Sequence, residues 1–335
     1  MAIDPVPTKE GYTVFKHPSL QADKEYRTWY KLVGDFSSGR RPLVLLHGGP
    51  GAGHKGATHC FDAYPGITGT PIVYYDQLGC GNSTRLPEKK GDESFWTPAL
   101  FVAELDNLVR HLGVRDSFDL YGHSWGAKLA AKYAVSEEQK GSGLHKIILS
   151  SGTVNQKDLI LNIKKDIEAM PQETRDLIYL CIAESREDEH EYQLALWKFL
   201  QKRISPNVPR PDPGQSVMAP FVQDDVVYST MLGSDPFHVD QGSLRSKLSC
   251  ELHTGVKSNR VLTAAMAAFD MTEECKAIKQ PVLLLNGELE EAYLMQPFFD
   301  GIPKVKWFVF SGSAHAASID QPEKYRTVVW NFLET

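Results

Sequence analysis

The 335-residue chain has little cysteine: only Cys60, Cys80, Cys181, Cys250 and Cys275, widely spaced and odd in number. No C-x-x-C pair occurs, which argues against a zinc ribbon or a disulfide framework and leaves the thiols as small buried side chains. Long apolar runs are also missing; none approaches the roughly 18 residues that a membrane-spanning helix requires. The opening stretch, MAIDPVPTKEGY, has neither a charged n-region nor an apolar h-region, so a cytoplasmic location is expected. There is no excess of basic residues. Lys+Arg number 36 against 42 Asp+Glu, a formal net charge of -6, which provides no electrostatic footprint for nucleic acid and none for an anionic membrane surface. No H-E-x-x-H and no Cys/His cluster is present. His54, His59 and Cys60 lie close together but read as loop residues, so no metal and no cofactor is expected.

The residues that are present suffice for a real core, with 42% hydrophobic residues. Single cores stop growing at about 250–300 residues, so a chain of this length predicts one large domain with an added module. Residues 11–15 and 26–34 alternate apolar and polar and read as antiparallel strands. Residues 42–48, 71–76, 117–122, 146–151, 281–287 and 305–312 are near-continuous apolar runs bounded by turn residues, the pattern of parallel strands buried on both faces. Between them, Thr97-Pro98 opens a helix whose Phe101, Leu105, Leu108 and Leu112 share one face, and Gly113 is placed to end it. The alternation predicts an α/β fold with a mostly parallel, eight-stranded sheet flanked by helices.

From about 155 to 275 no strand pattern appears. Leu159, Ile163, Ile167 and Met170 fall at helical spacing, 191–200 reads as another helix, and PNVPRPDPG is a proline-rich loop at 206–214. The expected organisation is a core in two parts, 1–154 and 276–335, with a helical cap, 155–275, inserted between them. Such an insertion sits over the carboxyl ends of the strands, where open α/β sheets bind ligands.

Two segments carry chemistry. In SFDLYGHSWGAKLAAKYA (117–134) a buried strand runs into Gly122-His123-Ser124-Trp125-Gly126 and an alanine-rich helix follows. G-x-S-x-G in a strand–turn–helix setting is a nucleophile elbow. Its glycines let strand and helix approach, Ser124 is left projecting, and the Trp125 N–H at the helix N-terminus is aimed where an oxyanion would form. A serine nucleophile needs a base and an orienting acid, in the chain order Ser, acid, His. His315 follows the last strand. After the preceding strand comes Glu288-Leu289-Glu290-Glu291; Glu290, three residues past Gly287, is the first choice for the acid, with Glu288 and Glu291 as alternatives.

LVLLHGGPGAGHKG (43–56) carries a competing signal. Gly51, Gly53 and Gly56 spell G-x-G-x-x-G after a strand, and Asp76 ends the next strand twenty residues later, the arrangement of an NAD(P)-dependent oxidoreductase. However, His47-Gly48-Gly49-Pro50 intervenes before the first of these glycines, and this remote alternative leaves Ser124 and His315 without a role.

HGGPG (47–51), YDQLGCGNS (75–83), GHSWGAKLA (122–130), GELEEA (287–292) and SGSAHAASIDQPEKY (311–325) together resemble the proline iminopeptidases, nearly end to end. The resemblance implies an α/β-hydrolase fold with a helical cap and a serine hydrolase that removes an N-terminal residue from a short peptide or amide. By position it implies Ser124 as nucleophile, His315 as base, Glu290 as the acid in place of the family's aspartate, and the N–H groups of Gly49 and Trp125 as the oxyanion hole. Glu291 falls where the family holds the substrate's free α-amino group. The family's second amine-binding carboxylate, in G-P-N-E-F, is replaced: Gly233-Ser234-Asp235-Pro236-Phe237 puts Pro236 at that position and leaves Asp235 beside it. About twenty residues around 247–268 are extra in the cap. The expected partner is a small-molecule or short-peptide substrate. An amidase, an esterase or a non-hydrolytic enzyme acting on a specialised small molecule is the main alternative.

Overall fold

The computed structural model describes residues 6–219, 221, 225–233, 236–240, 266 and 268–335. Asp235, Cys250 and nearly all of the 247–268 segment lie outside the described residues. The two alternating stretches and six apolar runs become eight strands in one sheet: β1 (Thr8–Phe15), β2 (Tyr26–Val33), β3 (Leu43–Leu46), β4 (Ile72–Tyr75), β5 (Phe118–His123), β6 (Leu144–Ser150), β7 (Val282–Gly287) and β8 (Val305–Phe310), in the order β1-β2-β4-β3-β5-β6-β7-β8. β1 and β2 pair antiparallel, β2 meets β4 antiparallel, and every pairing from β4 to β8 is parallel. β3, β4, β5 and β7 are buried along their whole length, which is why they show no polar alternation in sequence.

After the short α1 (Tyr64–Thr68), between β3 and β4, helices cover both faces. One apolar layer packs β3, β5 and β6 against α2 (Pro98–His111) and α3 (Trp125–Ala134) through Leu105, Leu108, Leu129 and Tyr133. The opposite layer sets Leu45, Tyr121 and Leu283 against Phe61 and the C-terminal helix, Pro322–Glu334. The start of α2 follows its predicted chemistry: the Thr97 hydroxyl accepts from Leu100 N at 3.3 Å, and Pro98 occupies the first turn, where its missing N–H costs nothing. Gly113 has φ +69°, the left-handed turn expected just beyond the helix.

Between β6 and β7 the chain forms α4 (Gln156–Glu168), α5 (Gln172–Glu184), α6 (His190–Arg203) and α7 (Asp225–Leu232). The inserted helices have an apolar cluster of their own, including Ile167, Ile178, Tyr192, Leu196, Phe199 and Phe237. The neck of the insertion is closed by backbone pairing. Gln156 N donates to Phe269 O at 3.0 Å, Met271 N donates to Val154 O at 3.0 Å, and Asn155 bridges Asp270. The chain therefore leaves the sheet domain and returns to it within a few ångströms, so an insertion of this size leaves the order of the sheet undisturbed. Among the described residues no helix is long and apolar enough to cross a membrane.

Candidate active site

The sheet places its site residues just beyond the carboxyl ends of β5, β7 and β8. β5 ends at His123, and Ser124 has φ 57° and ψ -115°, a conformation that a residue with a Cβ adopts only under constraint. Two close approaches impose it. A Cβ on Gly122 would lie 2.1 Å from Gly126 O, and one on Gly126 would lie 2.2 Å from Leu46 O. Glycine at both positions lets α3 start directly against β5 and β3. Ser124 N donates to Ser150 O at 2.8 Å, which ties the turn to the end of β6.

The loop after β8 brings His315 to the same place, and the loop after β7 brings Glu290. His315 Nδ1 lies 2.5 Å from Glu290 Oε1. Burial pushes the Glu290 carboxyl up, but the neighbouring His315, with Ser151 and His123, more than offsets this and holds it below the usual glutamate value. An ionised Glu290 accepts, so Nδ1–H donates, and the second ring nitrogen, Nε2, is left to act as a base. Glu288 turns elsewhere: its Oε2 accepts from Ser311 Oγ at 2.7 Å and from Gly312 N at 2.9 Å. Glu291 is exposed at the start of the short turn Ala292–Leu294 and is not among the residues lining either cavity described below.

Further residues, given no role in the sequence reading, hold this arrangement. His123, inside the G-x-S-x-G turn, is buried, and its Nε2 lies 3.0 Å from His315 O. Burial, with the nearby His315, lowers its pKa to about 4, so it is a neutral ring that donates to the His315 carbonyl. Gln77 N donates to His47 Nε2 at 3.0 Å and Trp125 Nε1 donates to Gln77 Oε1 at 2.9 Å, so Gln77 joins the loop after β3 to the first residue of α3. The quoted YDQLGCGNS segment contained Gln77, but only the fold shows which loops it joins. The cap supplies a third support. His315 N donates to Arg203 O at 3.2 Å and Ala316 N to Ile204 O at 2.8 Å, so the last turn of α6 holds the His315 loop by its backbone.

The competing glycine motif loses its acid. Asp76 is fully buried; its Oδ1 accepts from His54 N at 2.8 Å and its Oδ2 from Asn82 N at 2.9 Å. It latches the loop of Gly51, Gly53 and Gly56 to the loop after β4, and it is not available to a ribose. Gly49, Gly51 and Gly53 all have positive φ, so these glycines shape a compact turn.

Two cavities meet at Ser124. One, of about 150 Å³, is lined by Gly49, Trp125, Lys128, Arg203, Glu290 and His315 among others. The other, of about 320 Å³, is lined by Gly48, Ala52, His123, Val208 and Ile319 and shares Gly49, Ser124 and His315 with the first. Cap residues Leu200, Ile204, Tyr228 and Pro236 contribute to both. The predicted site residues Ser124, His315, Glu290, Gly49 and Trp125 are thus brought together, whereas Glu291 faces outward.

Comparison with known proteins agrees with this architecture. The profile of the alpha/beta hydrolase fold family matches residues 41–322. The chain therefore belongs to the α/β-hydrolases. Within them it falls in the proline iminopeptidase family. It is 30% identical to a proline iminopeptidase of Clostridium botulinum over 313 residues, covering 92% of this chain and 95% of the relative. It is 28% identical to that of Clostridioides difficile, covering 97% of each. Among solved structures, VinJ superposes with a TM-score of 0.78 at 29% identity, over 97% of this chain and 98% of VinJ. The proline iminopeptidase of Mycobacterium smegmatis superposes with a TM-score of 0.74 at 28% identity, over 97% and 98%.

Proposed function

We propose that this protein is a serine hydrolase that cleaves an amide or ester bond of a small substrate through an acyl-enzyme. The observation that carries this reading is the Glu290–His315 pair at 2.5 Å, opening onto a cavity shared with a conformationally constrained Ser124. His315 Nε2 takes the Ser124 proton as Oγ attacks the substrate carbonyl. Ionised Glu290 fixes the tautomer and stabilises the imidazolium that results. The oxyanion is received by the N–H groups of Gly49 and Trp125; one such donor is typically worth about 3–4 kcal/mol of barrier. His315 then gives its proton to the leaving group, and water, activated by the same ring, releases the acid.

Kinship with proline iminopeptidases makes an unblocked N-terminal residue of a short peptide or amide the first substrate to test, with Asp235 and Glu291 as the carboxylates available to its amine. A second reading, an amidase or esterase for a non-amino acyl group, is favoured by the outward position of Glu291 and by the two basic side chains, Lys128 and Arg203, in the smaller cavity. A fluorophosphonate probe should label the protein and fail to label Ser124→Ala. Prolyl, alanyl and leucyl arylamides assayed beside simple acyl esters then divide the two substrate classes. Turnover confined to blocked or non-amino substrates sinks the peptidase reading; no labelling of Ser124 sinks the serine hydrolase.

A further inference from the structure

Lys128 stands four residues after Ser124, in the first turn of α3, and both line the smaller cavity. Lys128 is only 5% exposed. Among the described residues no carboxylate pairs with it. Its ammonium donates to Gln156 Oε1 and lies 5.4 Å from the centre of the Phe269 ring. One hydrogen bond uses one of three N–H groups. The other cation of the cavity, Arg203, is already engaged by Asp166 and Asn162, and Glu290 is engaged by His315. Lys128 is thus the cation of the cavity that no carboxylate among the described residues neutralises.

A second observation points the same way. Thr153 lines the same cavity at 7% exposure, and its hydroxyl is buried with no hydrogen-bond partner among the described residues. Buried hydroxyls are ordinarily satisfied. A buried ammonium with spare donors, a buried amide and the unsatisfied Thr153 hydroxyl around one small space form a ready-made receptor for an anionic oxygen pair. An ammonium group entering the same space would meet a like charge at low dielectric.

We propose that Lys128, with Gln156 and Thr153, forms a carboxylate subsite that selects acyl groups bearing a carboxylate a few bonds from the scissile carbonyl, such as succinyl or glutaryl monoesters and monoamides. The proposal rests on the serine-hydrolase reading and deepens its second substrate class. The bond chemistry is unchanged: water enters, the monoester is cleaved, and a dicarboxylic acid and an alcohol leave.

The test compares 4-nitrophenyl hemiglutarate with its neutral methyl ester on the wild-type protein and on Lys128→Met, an uncharged replacement of similar length. The wild type is expected to favour the hemiglutarate at least tenfold in kcat/KM, mainly through KM, and Lys128→Met to lose at least tenfold of that preference. A wild-type ratio near or below one overturns the proposal. So does a ratio that Lys128→Met leaves unchanged, even if both rates fall together, and so does a prolyl or alanyl arylamide turned over faster than either ester. A second measurement is independent of turnover: the dissociation constant of glutarate for Ser124→Ala, with and without Lys128→Met, read by calorimetry. Binding at least tenfold weaker without Lys128 supports the subsite even if no ester is cleaved and the probe leaves Ser124 unlabelled, an outcome that would count against the hydrolase reading alone. No difference in glutarate binding overturns the subsite.

Discussion

Glu290 carries the most exposed part of the proposed mechanism at the level of single residues, because it stands where the resemblance implies an aspartate. Its extra methylene lengthens the reach, yet Oε1 still comes to 2.5 Å from His315 Nδ1. Glu290→Gln keeps the shape and removes the charge that orders the imidazole. We expect kcat to fall by about 10³–10⁴, the loss typical of a triad acid made neutral, with a melting temperature within a few degrees of wild type. Stopped assays on whichever arylamide or ester is turned over fastest, beside a thermal melt, check this. Near-wild-type activity would overturn Glu290 as the acid. At this scale the sequence was legible where chemistry imposes a fixed spacing. G-x-S-x-G, a histidine after the last strand and an acid after the preceding one are each set by where strands end. His123 and Gln77 were not legible. Each acts through a partner far away in the chain, 192 residues for His123 and 30 for the Gln77–His47 contact, and no local pattern encodes such pairs. Lys128 was half legible. Its position four after Ser124 places it in the first turn of the helix, but only the packing of the cap shows that it is buried.

Elements explain why a helical insertion can govern a histidine on a sheet loop. The C-terminal turn of α6 accepts hydrogen bonds from His315 N and Ala316 N, and the chain just beyond it reaches Asp320. Asp320 Oδ1 accepts from Ser205 Oγ at 2.5 Å and from Asn207 Nδ2 at 3.1 Å, while Oδ2 lies 3.4 Å from Ala314 N. One carboxylate therefore clasps the insertion to both ends of the His315 loop. Asp320→Ala should cost about 1–3 kcal/mol of stability, the usual consequence of leaving a buried donor, here the Ser205 hydroxyl, without a partner. It should also lower kcat several-fold, because His315 loses its support on the side facing the cap. Asp320→Asn retains an acceptor and should recover most of the rate. A melt with a kcat and KM comparison distinguishes this from simple destabilisation, since a merely less stable protein loses active fraction without changing KM. The strands and α2 were readable as elements because each buries a continuous face or begins with a capping pair. The clasp was not, since Ser205, Asn207 and Asp320 are ordinary loop and helix-end residues until the insertion is folded back.

For the whole molecule, the buried ammonium of Lys128 makes stability depend on pH in a direction opposite to that of a salt-bridged lysine. Burial lowers its pKa from 10.5 to about 7 in the folded protein. Above the unfolded value both states are neutral and there is no penalty. As pH falls toward the folded value the unfolded chain binds a proton that the folded chain resists, so stability is lost between about 10.5 and 7 and stays low beneath that. Lys128→Met removes the penalty. It should therefore raise stability by a few kcal/mol near pH 6–7, in keeping with the gain seen when apolar residues replace buried charges, and the gain should shrink steadily toward pH 10. Glu290, His315, Arg203 and Tyr228 line the same cavity in both proteins, so the comparison is made on the difference between the two stability curves. Denaturant unfolding of wild type and Lys128→Met at pH 6, 8 and 10 measures it. A variant less stable than wild type at pH 6, or a gain that does not depend on pH, would mean that the lysine is held by interactions that stabilise the fold. A gain that decays with pH, together with the lost preference for hemiglutarate, would mark Lys128 as a charge that the fold carries at a cost in stability for the sake of its substrate.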